Sequence, residues 1–234
     1  MKIFFFLVII LVSGEITYKK TIKFPIPKTK TVYYEKELKS INNSLDKLKY
    51  ELKFNSTISY FDLEKSMSLD IEKIHRKAIS KGKGKESFYT DIKTKTCIEI
   101  NKLGGETFLV HNLKPNFELS KETKIINGYT CYKATTSETA HLSKLNIGMK
   151  DEINEIIAWY TMEVPIQFGP LNFFGLPGLI LELQYSNTTY TVVDMNFSNK
   201  SIEINKPFKG KKVTAEEFEE LIIETMKKMN IGLD

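Results

Sequence analysis

Residues Trp159 to Leu183 constrain this chain more than any other stretch. Ile156, Ala158, Tyr160, Met162 and Val164 alternate with Ile157, Trp159, Thr161 and Glu163, and further on Leu179, Leu181, Leu183 and Tyr185 alternate with Ile180, Glu182, Gln184 and Ser186. A period of two marks a strand with one buried face. Pro165 ends the first strand, because proline has no N–H to give a ladder. Between the strands lies a loop with Phe168, Leu171, Phe173, Phe174 and Leu176. Burying one phenylalanine is worth about 1.5–3 kcal/mol, so several will not stay in water without a partner. The loop either folds back on the sheet as a plug or offers an apolar mouth to a lipid, a peptide or a partner's edge. Leu176-Pro177-Gly178-Leu179 reads as a type II turn, Pro177 fixing negative φ and Gly178 supplying positive φ. Gly169 and Gly175 leave room for close backbone approach. If the loop binds, the contact set is Trp159, Tyr160, Pro165, Phe168, Gly169, Pro170, Phe173, Phe174, Gly175, Leu176, Pro177 and Gly178.

The rest of the chain repeats this period in short runs. Tyr50, Leu52 and Phe54 alternate with charged or polar neighbours, and Ile58, Tyr60 and Leu63 follow a polar step. Ser87 to Ile92, Thr96 to Ile100 and Thr107 to His111 are strand signals, the last two joined through Gly104-Gly105; Tyr190, Val192 and Asp194 mark another strand after a turn at Asn187-Thr188. Asn127-Gly128 between two apolar-rich runs predicts a hairpin with a type I′ turn, since both residues accept positive φ. From Ile16 to Tyr34 two extended pieces are separated by Pro25-Ile26-Pro27, which belong at a sheet edge or in a loop. Glu35 to Lys49 fits a short helix or a wide hairpin loop equally. Met67 to Ser80 has apolar residues near helical spacing and stops before the lysine-glycine run 81–85. Thr214 and Glu217 form a capping box ahead of a last helix, whose apolar stripe is Phe218, Leu221, Ile222, Met226 and Met229.

The hexapeptide Gly175-Leu176-Pro177-Gly178-Leu179-Ile180 resembles the name-giving motif of the GLPGLI family of secreted bacterial proteins, whose function is uncharacterised. Ile126 to Ala134, INGYTCYKA, is similar to a second typical block of that family, and Phe54 to Phe61 to a looser third. Thr135 to Asn154 is longer and more polar than the connection such proteins lead one to expect, and its Ala140 to Asn146 piece suits an extra surface turn of helix. The resemblance implies an exported chain and names no activity.

Export is also read from the residues themselves. Lys2 precedes an unbroken apolar run from Ile3 to Val12, too short to span a bilayer and suited to a secretory signal. This places a signal peptide at residues 1–14 and a single domain at 15–234, in the periplasm, at the outer-membrane periphery or outside the cell, with no transmembrane span in the mature chain. Cys97 and Cys131 could then pair, closing a loop worth about 3 kcal/mol, or stand as separate buried thiols on strands.

Charge excludes little and points away from nucleic acid. The net charge of +5 comes from 34 basic and 29 acidic residues, interspersed along the chain. Arg76 is the only arginine, and without guanidinium forks a lysine surface is a poor reader of phosphates or base edges. His75, His111 and His141 lack metal-site spacing, so no metal set is expected. No phosphate loop, dinucleotide fingerprint or serine-hydrolase elbow occurs, so no cofactor is expected. Glu163 and Glu182 are single carboxylates on separate strands.

The expected fold is α+β and mainly β: a curved antiparallel sheet, half-barrel-like, with one or two packed helices including a C-terminal amphipathic one. The expected function is non-enzymatic binding of an apolar ligand or an envelope partner. The alternatives are a secreted hydrolase whose site assembles only in three dimensions, and a structural accessory subunit of an outer-membrane assembly.

Overall fold

The computed structural model describes residues 13–23, 31–64, 86–145 and 150–228. Its strands, in chain order, are β1 (Ser13–Ile22), β2 (Tyr50–Phe54), β3 (Ile58–Leu63), β4 (Ser87–Asp91), β5 (Thr96–Leu103) and β6 (Glu106–Leu113). They continue with β7 (Glu118–Ile126), β8 (Tyr129–Ala140), β9 (Glu152–Thr161), β10 (Leu179–Tyr185), β11 (Thr188–Ser198) and β12 (Lys211–Thr214). All belong to one unclosed 12-stranded sheet in the order β12-β6-β5-β4-β3-β2-β1-β11-β10-β9-β8-β7. Neighbours are antiparallel except β12, which runs parallel to β6. Two helices, α1 (Thr31–Leu45) and α2 (Ala215–Lys228), pack on it. The fold is thus mainly β with a C-terminal helix, as the alternation and the capping box predict.

Local chemistry explains most of the turns. Asn127 and Gly128 both have positive φ, 51° and 85°, and Ile126 pairs with Tyr129 across them. This is the two-residue hairpin that Asn-Gly specifies. Gly104 and Gly105 make the same kind of turn between β5 and β6, with φ of 59° and 85°. The turn before β11 sits one residue earlier than expected, with Ser186 at positive φ and Thr188 already paired to Tyr185. Of the two readings of residues 35–49, the helix holds, and it replaces the second extended piece at Thr31–Tyr34 as well. Asn42 on α1 fastens the end of β1: its Oδ1 accepts from Ile22 N at 2.9 Å and its Nδ2 donates to Ile22 O at 3.0 Å. The helix expected over 67–80, the lysine-glycine run and the Pro25–Pro27 step lie outside the described residues. The helical turn expected within Ala140–Asn146 appears as a short 3-10 turn, Leu142–Leu145.

β1 is the seam of the sheet, pairing with β2 on one side and β11 on the other. It already includes Ser13 and Gly14. Ser13 is buried and its hydroxyl donates to the carbonyls of Ser198 and Lys200. A Cβ on Gly14 would run into the Asn196 carbonyl, so β11 approaches as closely as it does only because residue 14 is glycine. Both residues are therefore sheet residues, although the expected leader boundary falls just after them.

The sheet curls. α2 packs through Phe218, Leu221 and Ile222 on Phe108 and Val110 of β6 near one edge. Its Glu219 meets His141, just past β8 near the other edge, at 3.0 Å. The helix begins with the capping box: Glu217 N donates to Thr214 Oγ1 at 3.2 Å, and Thr214 N to Glu217 Oε2 at 2.8 Å. The inner face holds the main core. Tyr18, Tyr50, Phe61 and Tyr190 meet ring to ring at centroid distances of 5.3–6.1 Å, in the edge and offset arrangements aromatic rings prefer.

Candidate functional site

The loop between β9 and β10 fills one part of the inner face. Leu179 N donates to Val164 O at 2.9 Å, Ile180 N to Phe168 O at 3.1 Å and Gly175 N to Gln167 O at 2.8 Å. These bonds fold the loop back over the strands it joins. Tyr18, buried on β1, donates its hydroxyl to Ile180 O at 2.7 Å and ties the far strand in. Phe168, Leu171, Phe173, Phe174 and Leu176 are each no more than 2% exposed. Phe168 sits 6.3 Å from Phe54, and Phe173 sits 6.3 Å from Phe117 and 6.0 Å from Tyr185. The plug, not the mouth, describes this arrangement.

The turn chemistry differs from expectation. Gly175 has positive φ, 87°, and so does the non-glycine Leu171 at 60°, whereas Gly178 does not. The type II assignment at Pro177-Gly178 is therefore wrong. A Cβ on Gly178 would overlap the Thr161 carbonyl, with Thr161 C at 2.6 Å and Met162 Cα at 3.1 Å. Glycine is required there by the approach of two backbones. Gly169 is tight chiefly against a side chain, with Ile180 Cδ1 2.5 Å and Phe173 O 2.9 Å from where a Cβ would sit. A bulge on β10 also breaks the predicted alternation, so Ile180, not Leu181, lies opposite Tyr160.

The remaining members of the predicted contact set are scattered. Tyr160 and Pro170 are buried, while Pro165 and Pro177 are exposed. Trp159 is half-buried under Lys124, whose ammonium stands 4.3 Å from the ring centre, a cation–π contact. Gly175, Leu176 and Pro177 border a shallow hollow of about 300 Å³ beside Lys114 and Phe117. Cys97 and Cys131 are both buried and form no disulfide, so of the two readings the separate thiols hold. Burial pushes the Cys131 thiol up to about 11.

Glu182 binds Lys124 at 2.9 Å and Gln184 at 2.8 Å, and Glu163 accepts from Thr130 N at 2.9 Å. Neither meets a histidine. His141 faces Glu219 together with Lys144, at 3.0 Å each. Partial burial raises the Glu219 carboxyl, but the hydrogen bonds from Lys144 and His141 outweigh it and hold the group below its usual range. His75 lies outside the described residues. Among the described residues no three His, Cys, Asp or Glu side chains gather as metal donors. Among the described residues the deepest charge is Lys20, fully buried between the rings of Tyr50 and Tyr190 at 5.7 and 5.8 Å. Burial pushes its ammonium down to about 8, with Glu86 acting in the opposite sense. Glu86 also borders a polar cleft of about 560 Å³ between α2 and the sheet, where Glu138 accepts from Tyr185 at 3.0 Å and Glu99 from Asn101 at 2.7 Å.

The outer face carries a feature missed in the sequence. Residues 201–210, between β11 and β12, cross the outside of β3–β6 as a strap without regular structure. Ile204 packs on an outer-face cluster of Tyr89, Ile98 and Leu109. Beside it the strap and sheet enclose an open groove of about 580 Å³, walled by Tyr60, Ile100, Ile202, Ile204, Pro207 and Phe208. Lys53, Lys206, Lys209 and Glu203 stand around it. Phe208 is 77% exposed. The signal available in the sequence was the Ile202-x-Ile204 alternation followed by Pro207-Phe208, a short strand-like pattern that never pairs.

An open, curled β-sheet with a plugged inner face and a strapped, grooved outer face is the class of structure these features define. Within it, residues 117–182, from just before β7 to within β10, match the model of a family described as a protein of unknown function, Porph_ging. That span contains both the Asn-Gly hairpin block and the Gly-Leu-Pro-Gly-Leu-Ile loop, and it is compatible with the GLPGLI resemblance. No curated protein matches the chain in sequence. Among solved structures, PNGF-II in a C2 space group is similar over 92% of this chain, at 18% identity and a TM-score of 0.51. PNGF-II in a P21 space group is similar over 91%, at 18% identity and 0.52. The chain spans 33% of the PNGF-II chain in each, so the likeness concerns the fold of one part of a longer protein. The Mycobacterium tuberculosis lipoprotein LppX aligns over 83% of this chain and 90% of its own, at 11% identity and a TM-score of 0.28, too low to carry an argument.

Proposed function

We propose that this is an exported, non-enzymatic binding protein that holds the hydrocarbon chain of an amphiphile in the outer groove beneath the 201–210 strap. The observation that carries the reading is Phe208, 77% exposed at the lip of an apolar groove of about 580 Å³. An exposed phenylalanine forgoes about 1.5–3 kcal/mol until something covers it. The groove lies within the usual size of small-ligand sites, ~300–1,000 Å³. Its apolar wall is continuous with the packed cluster of Tyr89, Ile98 and Leu109, so the sheet supplies a rigid floor. The lysines at its rim suit an amphiphile whose polar end stays at the surface. The motif loop serves this function indirectly, by filling the inner face and fixing the curl of the sheet.

Calorimetric titration of the protein with sodium laurate, kept below its micelle concentration, is expected to show saturable binding with a negative heat-capacity change, the mark of apolar burial. Phe208→Ala should weaken that binding about tenfold while leaving thermal stability nearly unchanged, because the ring makes few contacts in the free protein. Absence of binding, or equal binding by the variant, overturns the assignment to this groove.

A further inference from the structure

Resting on the groove reading above, we infer that the site selects a free single-chain amphiphile with an anionic head, of the fatty-acid carboxylate class, and that Lys206 and Lys209 receive the head. The charges at the groove are Lys53, Lys206 and Lys209 against Glu203. Lys53 is already held by Glu15 and Glu51 at 3.5 Å each. Among the described residues neither Lys206 nor Lys209 forms an ion pair. Lys209 stands 5.8 Å from the Phe208 ring centre, so the uncommitted ammonium and the exposed ring lie side by side. The two lysines bracket Pro207-Phe208 at one end of the strap, while Ile202 and Ile204 are half-buried toward the other. A second, smaller hollow of about 320 Å³ opens on the far side of Pro207 and Phe208, and Lys206, Lys212 and His111 border it too. Lys206, Lys209 and Lys212 therefore gather at the Phe208 end of the strap, whereas the middle of the groove is apolar.

This arrangement matches a molecule with one apolar tail and one negative end, the tail along Tyr60, Ile100 and Ile202 and the head between the lysines. A cationic head at the same place would meet like charge, and a neutral one would leave the ammoniums to water alone. The groove runs open between strap and sheet and has one protruding large apolar side chain, Phe208. A bilayer-seated surface instead presents a broad apolar face, so a monomeric ligand is the occupant the shape favours. Exposed lysines attract through a screened field, so selectivity for the anionic head should fade with salt.

The test is titration with laurate, dodecanol and dodecyltrimethylammonium, each below its aggregation limit, at low and high sodium chloride. Laurate should bind about tenfold more tightly than dodecanol at low salt, the cationic surfactant most weakly, and the laurate advantage should shrink at high salt. Lys206→Gln/Lys209→Gln should remove most of that advantage and leave dodecanol binding unchanged. If neither laurate nor dodecanol binds, the groove reading itself falls. If both bind equally, with or without the two lysines, the groove stands and head selection is refuted. Binding to phosphatidylglycerol vesicles without binding to monomeric laurate would refute the choice of a free ligand.

Discussion

Replacing Gly178 by alanine is expected to destabilise the protein by about 3 kcal/mol, a loss near the upper end for a single added methyl group. The added carbon would overlap the Thr161 carbonyl and come within 2.6 Å of Thr161 C and 3.1 Å of Met162 Cα. All three are backbone atoms at the end of β9, and β9 is paired to β8 on one side and β10 on the other. None can move without disturbing the ladders. A turn glycine predicts something different, because alanine at positive φ costs only about 1–2 kcal/mol. Gly175 supplies the internal comparison: it has φ of 87°, and the atoms nearest its added Cβ all belong to the Lys114 side chain, which can swing away. Gly175→Ala should therefore lose about 1–2 kcal/mol, less than Gly178→Ala. Urea unfolding followed by far-ultraviolet circular dichroism measures both, and equal losses would count against the close-approach account.

The second large effect concerns the aromatic filling. Phe173→Ala should cost about 3–5 kcal/mol, the range for removing a buried phenylalanine and leaving a cavity. The ring is 1% exposed and lies between Phe117, just ahead of β7, and Tyr185 at the end of β10. Its loss removes contacts from two parts of the sheet at once. Had the loop been an open mouth, the same substitution would have changed stability by a few tenths of a kcal/mol and acted on binding instead. Unfolding curves for the variant, in the absence of any ligand, separate these outcomes.

What was legible in the sequence was what local rules determine. Asn127-Gly128 specifies its hairpin through two positive φ angles, and Thr214 with Glu217 specifies the start of α2 through reciprocal hydrogen bonds. Strand alternation marked β2, β9 and β11, each with one side buried, whereas β4, β5 and β6, buried on both sides, showed themselves as short β-branched or aromatic runs. The Pro177-Gly178 turn was misread because proline and glycine in sequence cannot distinguish a positive φ from a close backbone approach, and the deciding atom belongs to Thr161, 17 residues earlier. The bulge on β10 was hidden for a similar reason, since register depends on the partner strand. Burial of Phe168, Phe173 and Phe174 followed from hydrophobicity only as one of two options, and choosing between them required the curl of the sheet. The outer groove was the least legible feature. Its walls come from β3, β5 and a strap lying about a hundred residues further on, and the strap has no periodic neighbour to mark it. The Glu219–His141 contact likewise joins residues 78 positions apart.

The central claim is that the motif loop closes the inner face while ligand binding belongs to the outer groove. Amide hydrogen exchange, read by mass spectrometry on the protein with and without laurate, tests both halves in one measurement. Peptides covering Val164 to Ile180 should exchange only through global opening, since Gly175, Leu179 and Ile180 donate inside the plug, and laurate should not alter them beyond the general stabilisation. Peptides covering Ile202 to Lys209 should exchange rapidly in the free protein and slow on addition of laurate. The contrary result is fast exchange across Val164 to Ile180 in the free protein, with laurate protecting that loop and leaving the strap unchanged.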